Sequence, residues 1–245
     1  MLDFVAKHYA HALLEEHAAF VEDFARLPQA AQCLYVRLVN RKGRVFAVNR
    51  LRYPELGDHK PLLNVLREHD RIATPDVDDF GDVLGFLTRD EIYEIMLPRF
   101  VGLGRSLKKA ELTAFVREAA DPAEFMRELQ TERLLVQKRD DEIRYLLFLY
   151  FGRIQEGLSR FTMRDLGLVR ANESIDGYEA RFADRAEALE NYFFATRLHA
   201  AKGSRGASMR ELANEMAGWP ETNFSSSAAL RDRLALRLGR AAESA

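Results

Sequence analysis

Apolar residues return every three to four positions over most of this chain, the spacing of helices that bury one face. Phe4, Val5, Tyr9 and Leu13 set such a face over Leu2–Leu14, and Phe20, Val21 and Phe24 carry it on from His17 to Leu27. Pro28 suits the first turn of a further helix, where a missing amide costs nothing. Leu34, Tyr35, Leu38 and Val39 hold that helix's period up to Gly43, a stop signal that leaves Arg41 and Lys42 in the last turn. Val45–Val48 then reads as a short strand. Leu62, Leu63, Val65 and Leu66 mark a helix over Lys60–Asp70. A helix with a basic end, a small strand and a second helix predict a winged helix-turn-helix, closing near Pro75.

Beyond Pro75 the pattern is helical throughout. Asp76–Asp79 is an acidic connector, read as a solvated charge run. Phe80–Leu87 and Thr88–Arg99 form two short helices, the second opened by a capping box in which Thr88 and Glu91 satisfy each other's backbone amides. Gly102 and Gly104 make a loop, and Ser106 caps a helix over Leu107–Ala119. Asp121 caps the next, with Pro122 at its first position. Glu142–Arg153 is strongly apolar but too short to span a bilayer, so it belongs to a core. Phe161–Val169 is a compact apolar element, and Glu173–Arg181 a polar loop. Arg185–Ala201 is a long helix, Lys202–Ala207 a flexible basic linker, Ser208 a cap for a helix to Ala217, and Ala228–Glu243 a last helix. The expected fold is mainly α in three segments: a winged helix over 1–75, a pair of helices around a glycine loop over 76–120, and a helical region over 121–245.

Composition narrows the picture. The 245 residues are 47% hydrophobic and 30% charged, enough apolar content for real cores and no sign of long disorder. One cysteine, Cys33, excludes an intramolecular disulfide and a cysteine zinc site. Its apolar neighbours point to a buried, inert thiol. No run of eighteen apolar residues and no signal peptide is present, which places the chain in the cytoplasm without a membrane partner.

Charge changes the picture most. The net charge is −2, yet no acid occurs between Asp23 and Glu55, an interval holding Arg26, Arg37, Arg41, Lys42, Arg44, Arg50 and Arg52. A cationic stretch in a balanced chain points to a polyanion. Complementing a helix C-terminus, worth about 0.3–1 kcal/mol per cation, accounts for Arg41 and Lys42. It does not account for Arg44, Arg50 and Arg52 beyond the helix.

On these residues a resemblance becomes specific. Residues 27–56, LPQAAQCLYVRLVNRKGRVFAVNRLRYPEL, resemble the signature of the Fanconi-associated nuclease family without a gap. The rest follows that family's order more loosely. The resemblance implies a winged helix, then a SAP-like module at 76–120, then the opening of TPR-like helical repeats, carried by Arg231–Leu234 and Arg237–Arg240. A single repeat helix cannot bury its own face, so the chain is expected to stop inside a larger protein and to contact that protein's other domains. The compact element at 161–169 also matches the family. In relatives the basic pair and the tyrosine at the positions of Arg41, Lys42 and Tyr53 lie at the duplex. The SAP-like module touches the backbone through cations, here Lys108 and Lys109. Its first helix departs, with Tyr93 where lysine is frequent.

The resemblance further implies branched or 5′-flap DNA as partner, in interstrand crosslink repair at the nucleoid. Cleavage, of phosphodiesterase I type, would come from a C-terminal VRR-NUC domain that uses Mg²⁺ or Mn²⁺ to activate water. That chemistry needs a strand-borne Glu-x-Lys among clustered acids. None matches here, so this chain by itself is expected not to cut. His8 and His11, three apart near Glu15, form a thin metal face without further ligands. His69 and His199 sit near helix ends. Gly203-Ser204-Arg205-Gly206 lacks the lysine and strand of a phosphate loop. Two other readings stay open: a stand-alone winged-helix regulator reading bases through Arg37, Asn40 and Arg41, and a helical scaffold with an incidental patch.

Overall fold

The computed structural model describes residues 1–100, 106–129, 131–155, 178–204 and 206–243. The glycine loop at 102–104 and the family element at 161–169 lie outside them, as does most of the polar loop expected at 173–181. Among the described residues the chain is mainly helical, with one small antiparallel sheet. Contacts group it into two compact units, residues 27–140 and residues 1–26 with 141–245. These lines run across the three segments read from the sequence.

The first unit holds the sheet. Helix α3 (Gln29–Val39) and helix α4 (His59–Glu68) supply Leu34, Leu38, Leu63 and Leu66 to its interior. Between them runs β1 (Val45–Ala47), and β2 (Ile72–Ala73) follows α4. Four helices come next: α5 (Phe80–Phe86), α6 (Arg89–Met96), α7 (Lys109–Ala119) and α8 (Pro122–Glu128). Only then comes β3 (Leu134–Gln137), which enters between the other two to give the order β1–β3–β2. Val45 faces Val136, Phe46 faces Leu135 and Ala47 faces Leu134, while Ile72 and Ala73 face Gln137 and Val136.

The two-residue strand period explains the packing. Val45, Ala47, Leu134 and Val136 share one face, in a core with Val83, Leu84, Ile92, Met96, Leu112, Val116 and Phe125 of α5–α8. Phe46 and Leu135 point the opposite way and are equally buried. The strands are therefore apolar on both sides. The winged helix closes on a strand well beyond Pro75, and α5–α8 are an insertion within its sheet.

Caps fix the helix starts. The Thr88–Glu91 box is present, with Thr88 N–H donating to Glu91 Oε2 at 2.7 Å and Glu91 N–H to Thr88 Oγ1 at 3.3 Å. Asp121 accepts from Glu124 N–H at 2.8 Å. In the run Asp76–Asp79, Asp76 and Asp78 are solvated as expected, and Asp79 is not. Asp76 and Asp79 form a capping box around a 3-10 turn, and Asp79 is 3% exposed. Tyr93 is buried in the core, its hydroxyl accepting Leu107 N–H at 3.2 Å. Cys33 is half-exposed rather than buried.

The second unit joins α1 (Leu2–His8) and α2 (Glu15–Arg26) to α9 (Asp140–Phe151), α10 (Arg185–Gly203), α11 (Ala207–Asn214) and α12 (Ser225–Glu243). The continuous helix expected to Leu14 breaks at Tyr9 into a 3-10 turn over Ala10–Ala12. Tyr145 donates from its hydroxyl to Ala12 O at 2.9 Å and stacks on His17, with ring centres 4.4 Å apart. His8 and His11 are used in packing: His8 lies against Phe4 and Tyr178, and His11 Nε2 meets Phe182 O at 2.9 Å. Helices α10 and α12 pair along Phe194, Ala201, Leu234 and Leu238. Lys202 continues α10 instead of opening a flexible linker, and Arg237 Nε donates to the terminal Ala201 O at 2.8 Å. Among the described residues no helix is long and apolar enough to cross a membrane.

Candidate nucleic-acid interface

Every cation of the acid-free stretch from Arg37 to Arg52 lies in the 27–140 unit, so their surroundings can be compared directly. Helix α3 ends at Val39, and Arg41 N–H donates back to Leu38 O at 3.0 Å. Arg41 and Lys42 therefore stand just past the helix, not in its last turn. Gly43, at φ +85°, turns the chain from there into β1, a left-handed conformation that glycine adopts without steric cost.

The fold brings acids to this stretch from elsewhere in the chain. Arg44 pairs with Asp79 at 3.6 Å and Asp82 at 3.2 Å, and also donates to Gln137 O at 3.2–3.3 Å. Arg50 pairs with Glu91 at 3.4 Å, and Arg37 with Glu55 at 2.7 Å. Arg52 turns back to Asn49 O at 2.7 Å and Leu51 O at 3.0 Å. Thr88's backbone amide holds the Glu91 carboxyl below its usual range; burial opposes this, while the Thr88 hydroxyl, Arg50 and Lys109 add to it. Arg41 and Lys42 are exposed and carry no ion pair among the described residues.

Tyr53 orders the uncommitted end. Its ring centre lies 5.6 Å from the Arg37 guanidinium carbon and 5.8 Å from that of Arg41. His59 meets the same ring edge-on at 5.8 Å. Such cation–π contacts contribute about 0.5–1 kcal/mol at exposed sites. That is enough to orient Arg41 without neutralising it. Beside it, Arg41, Lys42, Val45, Phe46, Ala47, Arg50 and Phe86 line a cleft of about 270 Å³.

Magnitudes rank these cations. The exposed Arg50–Glu91 pair is worth about 0–1 kcal/mol and exchanges readily for another anion. Arg44 is held more firmly, by the buried Asp79 carboxylate that it shares with Lys138, by Asp82 and by Gln137 O. So the sequence-predicted set divides: Arg41, Lys42 and Tyr53 come together with Arg37 and Arg50 beside them, while Arg44 and Arg52 are held by protein groups. Of the other expected pair, Lys108 is exposed just ahead of α7, and Lys109 Nζ donates to Gly85 O at 2.7 Å. Phe86 was not anticipated; it reads in the sequence only as the last apolar position of a short helix. Among the described residues no group of three His, Cys, Asp or Glu is placed to hold a metal.

Comparison with known proteins fits this arrangement. Residues 1–73 match the family model described as FAN1, HTH domain. Over 183 residues the sequence is 29% identical to the Fanconi-associated nuclease 1 homolog of Pseudomonas aeruginosa, covering 72% of this chain and 32% of that protein. Among solved structures, paFAN1 bound to 2nt 5′flap DNA with gap matches with a TM-score of 0.77 at 25% identity, covering 99% of this chain and 44% of that one. paFAN1 bound to 1nt 5′flap DNA with gap matches in fold with the same TM-score, 0.77, at 24% identity over 100% of this chain and 45% of that one. The chain thus spans about a third of the curated relative's length and under half of the solved chains. Its first 73 residues match the FAN1 HTH domain, and over the spans given the chain is similar to Fanconi-associated nuclease 1 proteins.

Proposed function

We propose that this chain is a DNA-holding part of a structure-specific repair nuclease, gripping branched or flap-bearing duplex through the turn after α3. The observation that carries this reading is the pair Arg41–Lys42, exposed, uncommitted and oriented by Tyr53 where every neighbouring arginine has a protein partner. It is supported by relatives whose structures hold 5′-flap DNA. Lys108, exposed ahead of α7, is a second backbone contact in this reading, and the helices of 141–245 lead into TPR-like repeats. Cleavage, with its Mg²⁺ or Mn²⁺, we assign to a VRR-NUC region outside the stretch matched here, acting in the cytoplasm at the nucleoid.

Phosphate contacts release counterions and carry no base identity, so binding should fall steeply with salt and be indifferent to sequence. The test is fluorescence anisotropy on a branched duplex over a salt series. Replacing Arg41 and Lys42 by alanine should reduce the log–log slope by roughly two units, about 0.9 per contact. Arg44→Ala should change it less, because that charge is held by Asp79 and Asp82. A double variant with wild-type affinity and slope would remove this turn as the interface. A strong preference for one duplex sequence would favour the regulator reading instead.

A further inference from the structure

Two features set the cleft beside Arg41 apart from a simple phosphate-binding patch. Its lining combines the cations Arg41, Lys42 and Arg50 with the half-buried Phe86 ring and the buried strand residues Val45, Phe46 and Ala47. Phosphate contacts on duplex are made by cations and polar groups. An aromatic ring beside them adds a surface suited to an unstacked base. Its volume of about 270 Å³ falls just below the ~300–1,000 Å³ of clefts that enclose a whole small-molecule ligand. A single nucleobase is of the size it admits.

Phe86 makes the argument specific. It closes α5, half-buried against the core, with its ring facing Arg50, whose guanidinium carbon lies 5.7 Å from the ring centre. A planar cation over a ring occupies the position a stacked base takes. Arg50 is weakly held there: it is exposed, and among the described residues its one ion pair is the surface pair with Glu91 at 3.4 Å. It can therefore yield the ring to a base and turn to the adjoining phosphate, next to Arg41 and Lys42. An aromatic platform bordered by cations is the general construction for single-stranded nucleic acid.

We propose that this cleft seats one unpaired nucleotide, with its base on Phe86 and its flanking phosphates on Arg41, Lys42 and Arg50. The proposal rests on the reading of this turn as a DNA interface and adds to it a preference for unpaired over paired nucleotides. In this arrangement the duplex is held at the turn, and the first base to leave the stack enters the cleft.

The test compares the 245-residue protein with its Phe86→Leu, Phe86→Ala and Phe86→Tyr variants. Fluorescence anisotropy is read on labelled oligothymidylate, on duplex with a one-nucleotide gap, and on fully paired duplex. Leucine keeps the apolar packing and removes only the π face, so a folding defect in the alanine variant does not blunt the comparison. The leucine and alanine variants should bind oligothymidylate about 5- to 150-fold more weakly, the range for loss of one stacked base. Fully paired duplex should be bound with unchanged affinity, and tyrosine should behave as wild type. Equal weakening on paired and unpaired DNA, or none on either with Phe86→Leu, overturns the proposal. If duplex binding remains and depends on Arg41 and Lys42 in that last case, the interface stands and only the cleft assignment falls. If wild type binds no DNA of any kind, both fall together.

Discussion

Arg44 reaches across its unit to Asp79, placing Nη2 3.6 Å from Oδ1 of a carboxylate that is almost wholly buried. Lys138 Nζ approaches the same carboxylate at 3.3 Å, and Asp76 N–H donates to it at 3.2 Å. One acid therefore ties the segment entering β1, the turn before α5 and the segment leaving β3.

Asp79→Ala should destabilise the protein by about 1–3 kcal/mol. Removing one partner of a fully buried pair costs more, about 3–5 kcal/mol, but Arg44 and Lys138 keep partial access to water here. Arg44→Ala should cost less, because Lys138 still serves the carboxylate. Urea unfolding of the two variants beside wild type reads both effects; equal midpoints for Asp79→Ala and wild type would show that the carboxylate is dispensable.

His17 should make stability fall in mild acid. Burial lowers its pKa from the ordinary 6.5, only partly opposed by Glu16 and Glu142. Nδ1 also accepts Leu14 N–H at 3.3 Å, which requires that nitrogen to be unprotonated. Because the unfolded state binds the proton more readily, this contribution is complete above pH ~6.5 and is lost as pH drops below it. His17→Phe keeps a ring to stack on Tyr145 and cannot titrate. Melting temperatures at about pH 5.5 and about pH 7.5 should converge for this variant relative to wild type; an identical difference at both would rule out the histidine as the cause.

Two glycines should respond oppositely to alanine. Gly152 has φ +68°, and a Cβ there would stand 2.8 Å from Arg181 Nε and 2.9 Å from its Cδ. That arginine cannot easily withdraw, since its Nη1 lies within hydrogen-bond distance of the carbonyls of Leu149 and Tyr150 and the hydroxyls of Tyr9 and Tyr178, at 3.1–3.3 Å. Gly152→Ala should cost about 1–2 kcal/mol or more. Gly239 lies inside α12 with nothing within 4 Å of an added Cβ. Gly239→Ala should add about 0.5–1 kcal/mol by lowering the entropy of the unfolded chain. Thermal melts of the pair check both signs; two shifts in the same direction would contradict the argument.

The helices were legible because their signals are local. The Thr88–Glu91 box, the Asp121–Pro122 start and the apolar period of α3 each lie within one or two turns. Strand β1 was legible as the short apolar run Val45–Val48 just after Gly43. Strand β3 was not: Leu134, Leu135, Val136 and Gln137 are all buried, so no alternation marks them, and their partners are distant in sequence. The cationic stretch was legible as composition, but the division within it was not. The absence of acids between Asp23 and Glu55 is a statement about sequence neighbours, and the fold supplies Asp79, Asp82 and Glu91 from further on. Among the described residues, the cations of the stretch left without an ion pair or protein hydrogen-bond acceptor are Arg41 and Lys42. Ion-pair partners on inserted helices cannot be found without knowing that the insertion folds back on the sheet.

The strand order has a consequence for synthesis on the ribosome. Among the described strands β1 and β2 do not pair with each other, and each pairs with β3. At ~5–20 residues per second, the wait between the appearance of Ala73 and of Gln137 is roughly 3–13 s. Throughout it both early strands carry unpaired edges, the feature that invites association with other nascent chains. Helices α5–α8 need only near neighbours and form sooner. They present Val83, Leu84, Leu112 and Phe125 as a ready surface against which Val45 and Ala47 already fit. The last of these helices emerges only shortly before β3, so the face of β1 and the strand that locks the sheet are completed close together.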